Sequence, residues 1–404
     1  MPTSLDDILE LPWDEPIPPC WIEPDLVLFD DITGLSAIRT LNQLEGNRSR
    51  PAYPGRIQIT SQIDRENSLP DRLRDDDLLL TTAQNWQVPF LRGVTDCDHD
   101  HPVPDTIFHA NQIMACTKPP TSFGAMGGLG ISANTFDLVH AYRTGKAWYR
   151  RPPIQAFCFH GKPRAGVTLH DIAIALRPDI HRQSLLLFSM AQDSADSSDL
   201  RLNALTALLA DSPASWVLYH PLDHAKSTPV SIHLDRYEAM IGIGNDSALP
   251  LSELTPTAID RVYIGSCSTG SVEDLRMAAR ELAGRRVTVP TVIAPSTMND
   301  AQRLETSRLD PDDSSSPVLA QIFHDSGCDI GLPGCSTCVN AIADLLDQPD
   351  HQEPHGKPAR ASLSNLTVVA TAVGSVTAQS VARVFTASPA TAARAAVHGM
   401  LGLS

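Results

Sequence analysis

The chain has 404 residues, of which 42% are hydrophobic, and its 31 basic and 47 acidic side chains give a formal net charge of −16. This length and composition are typical of a globular protein with two or three domains. The negative charge argues against nucleic acid or an acidic membrane surface as a partner, and no apolar run reaches the length of about 18 residues that a membrane span needs.

The N-terminal segment and the cysteine content both bear on where the protein works. The segment Met1-Pro-Thr-Ser-Leu-Asp-Asp-Ile-Leu-Glu10 is acidic and has no apolar core, so it does not predict a secretory signal. Eight cysteines in a chain of this length argue against a disulfide scaffold and favour the reducing cytosol. We therefore predict a cytoplasmic protein.

Helical and strand patterns alternate along the chain, as in stacked α/β layers. Periodicity and capping signals predict the following elements in chain order: a helix at 200–209, a strand at 216–219, a helix at 271–282 with Ser271 as N-cap, a strand at 287–294, a polar helix at 299–308, a solvated loop at 309–317, a strand at 366–371 and an alanine-rich helix at 389–401. The predicted fold class is therefore α/β.

Three cysteines stand out by their flanking residues. Cys267 lies in Tyr263-Ile-Gly-Ser-Cys-Ser-Thr-Gly270, and Cys335 and Cys338 lie in Leu332-Pro-Gly-Cys-Ser-Thr-Cys-Val-Asn340. Three thiolates are one fewer than a structural zinc site usually has. They suit a [4Fe–4S] cluster with one open iron, which can act as a Lewis acid. The alternative is three unrelated small residues beside turns.

These motifs resemble those of the aconitase superfamily, most closely the large subunit of 3-isopropylmalate dehydratase and its homoaconitase relatives. The family's Ile-Gly-Ser-Cys-Thr-Asn-Gly, Glu-Asp-Leu and Pro-Gly-Cys-x-x-Cys correspond to residues 264–270, 273–275 and 333–338. Other segments that follow the family's pattern lie at 123–130, 137–141, 144–148, 166–171 and 388–393.

The resemblance implies a three-domain, aconitase-like architecture of stacked α/β layers, with α/β domains at 1–150, 151–228 and 229–404. The third domain would hold a [4Fe–4S] cluster through Cys267, Cys335 and Cys338. We expect this chain to lack the family's swivelling fourth domain, which would follow the 388–393 segment. We therefore expect the chain either to recruit a small subunit that carries this domain or to work without one.

The departures from the family's motifs concern the substrate. The family's Asp-Ser-His-Thr is Met114-Ala-Cys-Thr117 here, the asparagine after the first cysteine is Thr269, and two arginines that grip carboxylates are Leu366 and Thr371. A guanidinium holds a carboxylate bidentately, and leucine or threonine cannot replace it. We expect this protein to be an inefficient aconitase or isopropylmalate isomerase and to act on a less carboxylated small molecule.

The general base is expected among His99, His101, Cys116 and Asp31, with its neighbour Asp30 or a partner subunit as further alternatives. The segment 96–101 is otherwise a solvated acidic loop, and Cys116 is otherwise a small buried residue. We predict an active-site mouth between the third domain and the first two, near Met114. The residues predicted to bind substrate there are Ser266, Thr269, Ser362, Ser364 and Asn365.

Three functions stay open at this point. The favoured one is an iron–sulfur hydro-lyase or isomerase with a non-standard substrate, in a specialised pathway. The second is other cluster chemistry, such as sulfur transfer through hydrosulfide on the open iron. The third is a non-catalytic relative whose cluster is structural or senses iron or oxidants. The intact set of thiolates argues against simple loss of function.

Overall fold

The structure is a computed structural model. It describes residues 5–10, 12, 18–31, 33–46, 50–61, 70–92, 112–116, 128–151, 153–176, 185–190, 216–219, 229–244, 247–266, 269–296, 298–331, 333, 366–371 and 382–402.

The α-helices of the described residues are α1 (Leu5–Leu9), α2 (Thr33–Glu45), α3 (Pro70–Trp86), α4 (Thr135–Thr144), α5 (Leu169–Leu176), α6 (Val272–Leu282), α7 (Met298–Leu304), α8 (Leu319–Ser326) and α9 (Pro389–His398). Short 3-10 helices lie at Pro54–Arg56, Leu234–Arg236 and Leu251–Glu253.

The strands are β1 (Cys20–Ile22), β2 (Leu26–Phe29), β3 (Ile57–Ser61), β4 (Phe90–Arg92), β5 (Ile113–Cys116), β6 (Leu129–Ser132), β7 (Ala147–Tyr149), β8 (Ile154–His160), β9 (Leu185–Met190), β10 (Trp216–Tyr219), β11 (Val230–His233), β12 (Met240–Ile243), β13 (Ser247–Pro250), β14 (Thr257–Ala258), β15 (Arg261–Gly265), β16 (Thr291–Ala294), β17 (Asp329–Ile330), β18 (Leu366–Ala370), β19 (Ala382–Ala387) and β20 (Met400–Leu401).

The chain forms two compact units, and the first contains most of the residues up to Phe159. Its main sheet has five parallel strands in the order β4-β3-β2-β5-β6. β3 and β5 are buried along their whole length, the pattern expected when helices cover both faces of a parallel sheet. A smaller four-stranded sheet has the order β10-β9-β8-β11. Because the five strands run the same way, the residues that follow β2 and β5 lie at one edge.

The second unit contains α5 and most of the chain after His233. Its seven-stranded sheet has the order β13-β12-β19-β18-β15-β16-β17. The strands from β19 to β17 are parallel, and β12 pairs antiparallel with β13 and β19. Helix α6 contributes Leu275, Ala279 and Leu282 to a core shared with residues of the parallel strands. This parallel sheet carries the segments that the cysteine motifs singled out.

The α/β fold class is confirmed, and most predicted elements are present with shifted ends. The helix at 271–282 is confirmed, with Ser271 as its N-cap. The strand predicted at 287–294 begins only at Thr291, after Pro290, and the helix predicted to reach residue 401 ends at His398, where Gly399 adopts a left-handed conformation. The helix predicted at 200–209 lies outside the described residues, and the three domain boundaries stay predictions.

Candidate active site

The parallel strands of the second unit end at the edge from which the cysteine segments depart. β15 ends at Gly265, just before Cys267, and β17 ends at Ile330, ahead of Cys335 and Cys338. Only β16 separates β15 from β17. The three cysteines themselves lie outside the described residues. The described strands therefore direct both cysteine segments from the same edge of one sheet, where ligands bind in open α/β folds.

Two glycines allow the residues flanking Cys267 to pack against β16. Gly265 has a φ of 96°, and a Cβ added there would lie 2.0 Å from the carbonyl oxygen of Ala294. A Cβ at Gly270 would lie 2.2 Å from the same oxygen. Gly265 is therefore required for conformational and steric reasons, and Gly270 for steric reasons. We refer to residues 266–270 as the Cys267 loop.

Ser296, which follows β16, holds both ends of the Cys267 loop. Its hydroxyl donates to the carbonyl oxygen of Ser266 over 2.9 Å and accepts a hydrogen bond from the amide of Gly270 over 3.1 Å. Its own amide donates to the carbonyl oxygen of Gly270 over 2.9 Å. One serine thus satisfies backbone groups on either side of Cys267.

Thr371, which follows β18, holds the loop from the other side. Its hydroxyl oxygen accepts from the amide of Gly265 over 2.8 Å and lies 2.8 Å from the hydroxyl oxygen of Thr269. Its amide donates to the carbonyl of Tyr263 over 3.1 Å. Thr269 also lies 3.3 Å from the hydroxyl of Ser266. Ser266, Thr269 and Thr371 are all 0% exposed, so the contacts observed for these hydroxyls serve the loop, and substrate binding by Ser266 and Thr269 stays a prediction.

The loop leads directly into α6, whose first turn carries a carboxyl group in contact with a buried histidine. The Ser271 hydroxyl accepts from the amide of Asp274 over 3.1 Å and donates to its carboxylate over 2.8 Å. The other carboxylate oxygen of Asp274 lies 3.3 Å from Nε2 of His170 on α5. Burial raises the pKa of Asp274 to about 7 and lowers the pKa of His170 to about 4.

Asp171, beside His170, holds α5 in place. One carboxylate oxygen accepts from the amide of Met240 over 3.0 Å, and the other accepts from the amide and the hydroxyl of Thr168, each over 2.8 Å. Burial raises the pKa of Asp171, and these hydrogen bonds oppose the rise. The motifs at 166–171 and 273–275 contain His170 and Asp274, but sequence reasoning missed their pairing because nothing local to either motif indicates it.

In the first unit, two of the proposed proton carriers lie at one edge of the five-stranded sheet. Asp31 follows β2, and Cys116 ends the neighbouring strand β5. The Arg72 guanidinium donates to Asp31 over 2.8 Å; burial raises the pKa of Asp31, and Arg72 opposes the rise. Asp30 accepts from the amide of Gly34 over 2.7 Å at the start of α2. Cys116 is buried, as its structural alternative predicts, and its catalytic role stays a prediction.

Several predicted site residues lie outside the described residues: His99, His101, Ser362, Ser364 and Asn365. Leu366 is described, and it begins β18, whereas Thr371 follows the carboxyl end of that strand. At about 3.3 Å per residue the two Cα atoms are about 16 Å apart. Of the two positions where the family has arginine, only Thr371 therefore lies at the edge that carries the Cys267 loop.

Within the described part of the chain, no three His, Cys, Asp or Glu side chains form a group able to hold a metal ion. The features that bear on an iron–sulfur cluster are therefore the three cysteines and the packing of the Cys267 loop. Three cysteines supply the soft thiolate ligands that such clusters use. Gly265 and Gly270 let the backbone beside Cys267 pack tightly. These residues fit a cluster held by Cys267, Cys335 and Cys338.

The fold and the edge of the second sheet define an α/β protein whose cysteine motifs depart from the carboxyl ends of parallel strands. Residues 221–399 match the model of the aconitase family (aconitate hydratase). The chain is also similar to proteins named 3-isopropylmalate dehydratase large subunit. The one from Pyrococcus horikoshii is 26% identical over 69% of this chain and 68% of its own length, and the one from Clostridium kluyveri is 25% identical over 94% and 92%.

A solved structure of Thermococcus kodakaraensis aconitase X is also similar, with a TM-score of 0.47 and 12% identity over 87% of this chain and 83% of that one. The family model over residues 221–399 and the sequence relatives confirm the resemblance to the aconitase superfamily. No helix among the described residues is long and apolar enough to span a membrane.

Proposed function

We propose that this protein is an iron–sulfur-dependent hydro-lyase or isomerase that acts on a less carboxylated substrate than citrate or 3-isopropylmalate. The observation that carries the proposal is the carboxyl edge of the second sheet. There the strands that precede Cys267 and the Cys335–Cys338 pair end on either side of β16. The dehydratase relatives named above support the reaction class.

Cys267, Cys335 and Cys338 would hold a [4Fe–4S] cluster. Such a cluster, when bound by three cysteines, supplies an open iron that polarises a substrate hydroxyl as a Lewis acid. The chain's own contribution is to fix the backbone on both sides of Cys267 through Ser296 and Thr371. Because the described ends of the loop are buried and hydrogen-bonded, we expect the Cys267 thiolate to be held in one position.

The substrate class follows from the side chain at position 371. Thr371 is uncharged and fully buried, and its hydroxyl is bonded to Gly265 and Thr269. It therefore offers no cation to a substrate carboxylate, whereas a guanidinium at this position would form a bidentate pair. Losing one such desolvated pair costs about 2–5 kcal/mol of binding, which favours substrates with fewer carboxylates.

Proton transfer is assigned to the residues proposed from the sequence, with His99 and His101 as the main candidates and Cys116 and Asp31 as alternatives. The ion pair with Arg72 favours the ionised form of Asp31, which a general base needs. The relatives are named large subunits, which supports a small subunit as partner for this chain. We propose that such a subunit completes the pocket.

The experiment that tests the function is a ligand screen on the protein reconstituted without air. Hydroxy acids with one, two or three carboxylates are added singly, and the electron paramagnetic resonance spectrum and the formation of the unsaturated product are both recorded. We expect at least one monocarboxylic hydroxy acid to change the spectrum and to be dehydrated. A spectrum that responds to hydrosulfide alone would favour sulfur transfer, and one that responds to nothing would favour a structural or sensing cluster.

A further inference from the structure

Two departures from the family's motifs are in contact with each other. Thr269 stands where the family has asparagine, and Thr371 stands where it has arginine. In the structure their hydroxyl oxygens are 2.8 Å apart, and both residues are 0% exposed. They lie 102 positions apart in the chain, so the sequence alone does not reveal that the two exchanges form one buried pair.

Thr371 lies just after β18 and makes both a backbone and a side-chain hydrogen bond to β15. Its amide donates to Tyr263, and its side-chain oxygen takes the place of a backbone carbonyl by accepting from the amide of Gly265. The same oxygen contacts Thr269, on the far side of Cys267. A single hydroxyl therefore connects the residues before and after the predicted iron ligand.

We infer that Thr371 is a positioning residue for Cys267, acting through Gly265 and Thr269, with Ser296 as its counterpart on the other side of the loop. This inference rests on the proposed function, since it assumes that Cys267 binds iron. On this inference Thr371 positions Cys267 and does not bind the substrate. Because the hydroxyl is the group that makes both contacts, serine should fulfil this role and valine should not.

The hydroxyl is costly to remove because its partners are buried. In Thr371→Val the shape is kept, but the Gly265 amide loses its partner, and the Thr269 hydroxyl keeps only its 3.3 Å contact with the hydroxyl of Ser266. A buried polar group left without a hydrogen bond is unfavourable enough to drive the surrounding backbone to move. The residues that would move are those that flank Cys267.

The test compares Thr371→Val with Thr371→Ser, Ser296→Ala and a matched control, Thr291→Val. Thr291 is buried in β16 of the same sheet, but at the amino end, where its hydroxyl donates to the carbonyl of Val289. For each reconstituted protein we would measure iron per chain, the paramagnetic spectrum of the reduced cluster and the rate of cluster loss in air. The melting temperature of the cluster-free protein reports folding.

Thr371→Val and Ser296→Ala should show a shifted spectrum and about tenfold faster cluster loss, the factor that corresponds to about 1.4 kcal/mol. Thr371→Ser and Thr291→Val should match the wild type. Wild-type spectra and loss rates in both Thr371→Val and Ser296→Ala would overturn the inference, as would equal effects in Thr291→Val. If Thr371→Val does not fold, Ser296→Ala decides alone. A wild-type protein that binds no cluster would instead refute the proposed function.

Discussion

At the scale of single residues, burial decides the protonation of the pair formed by His170 and Asp274. Both side chains are almost fully buried, and their Nε2 and Oδ1 atoms are 3.3 Å apart. Burial disfavours the charged form of each, so the pKa of the carboxyl rises to about 7 and that of the imidazole falls to about 4. Around pH 5 to 6, between these values, the neutral forms of both groups are favoured.

The raised pKa of Asp274 makes folding stability depend on pH. The folded state binds this proton more tightly than the unfolded state, so the contribution to stability is complete below about pH 4 and is lost as the pH rises through 7. In Asp274→Asn this dependence disappears. The free energy of unfolding of the wild type should therefore fall, relative to the variant, by up to about 1.4 kcal/mol per pH unit between pH 5 and 7.

Denaturant unfolding at several pH values measures this difference. Asp137→Asn is the matched control, because Asp137 occupies the same N3 position, in the capping box of α4, but belongs to an exposed cap. His170 contributes with the opposite sign, since its lowered pKa gives stability that is lost as the pH falls from about 6.5 toward 4. A stability difference between wild type and Asp274→Asn that stays constant with pH would contradict the assignment.

At the scale of elements, the Cys267 loop depends on how closely the chain after β15 approaches the end of β16. In Gly270→Ala the new Cβ would meet three backbone atoms within 3 Å, those of Ala294, Ser266 and Ser296, which cannot move independently of the sheet. We expect a loss of about 1–3 kcal/mol in the free energy of unfolding, as for other overpacked sites, together with reduced cluster content.

Thermal unfolding and iron analysis measure the two effects of Gly270→Ala. Gly55→Ala is the control, because a Cβ there meets nothing within 4 Å. A Gly270→Ala protein as stable as Gly55→Ala, with full iron, would show that the close approach is not required.

The elements also show how far sequence reasoning reaches. The helix that starts after Ser271 was predictable because its N-cap and acidic first turn are local signals. The strand β16 starts later than predicted because the predicted strand includes Pro290, which has no amide to donate. The roles of Ser296 and Thr371 were not predictable, because each depends on a hydrogen bond to a residue at or just after the end of β15, which is distant in sequence. Local patterns predict elements, whereas the site depends on their pairing.

At the scale of the whole molecule, the five parallel strands of the second unit place the strand ends that precede the cysteine motifs at one edge of the sheet. That arrangement explains why the motifs alone predicted the fold class, whereas the region of the site stays a prediction. The structure does not test the predicted substrate contacts at 362–365, because these positions lie outside the described residues. Leu366 lies at the opposite end of β18 from Thr371. The substrate class therefore rests on Thr371.

Citrate, isocitrate and 3-isopropylmalate should be poor substrates for the cluster-loaded protein. The reason is that Thr371 is uncharged and already bonded within the sheet edge. We expect turnover of each to stay below about 1 per second, the lower end of the usual range for enzymes. Product formation is measured with and without a small subunit. Turnover above this value on any of the three would show that the pocket binds carboxylates by other residues.

The most direct test of the central claim is the iron and acid-labile sulfide content of the wild-type protein and of three single variants, Cys267→Ser, Cys335→Ser and Cys338→Ser, after reconstitution without air. The wild type should hold about four irons and four sulfides per chain, and each variant should hold a degraded cluster or none. Cys328→Ser is the control, because this cysteine is buried in the core of the second unit. Full iron and sulfide in all three variants, or a wild type without iron, would contradict the account.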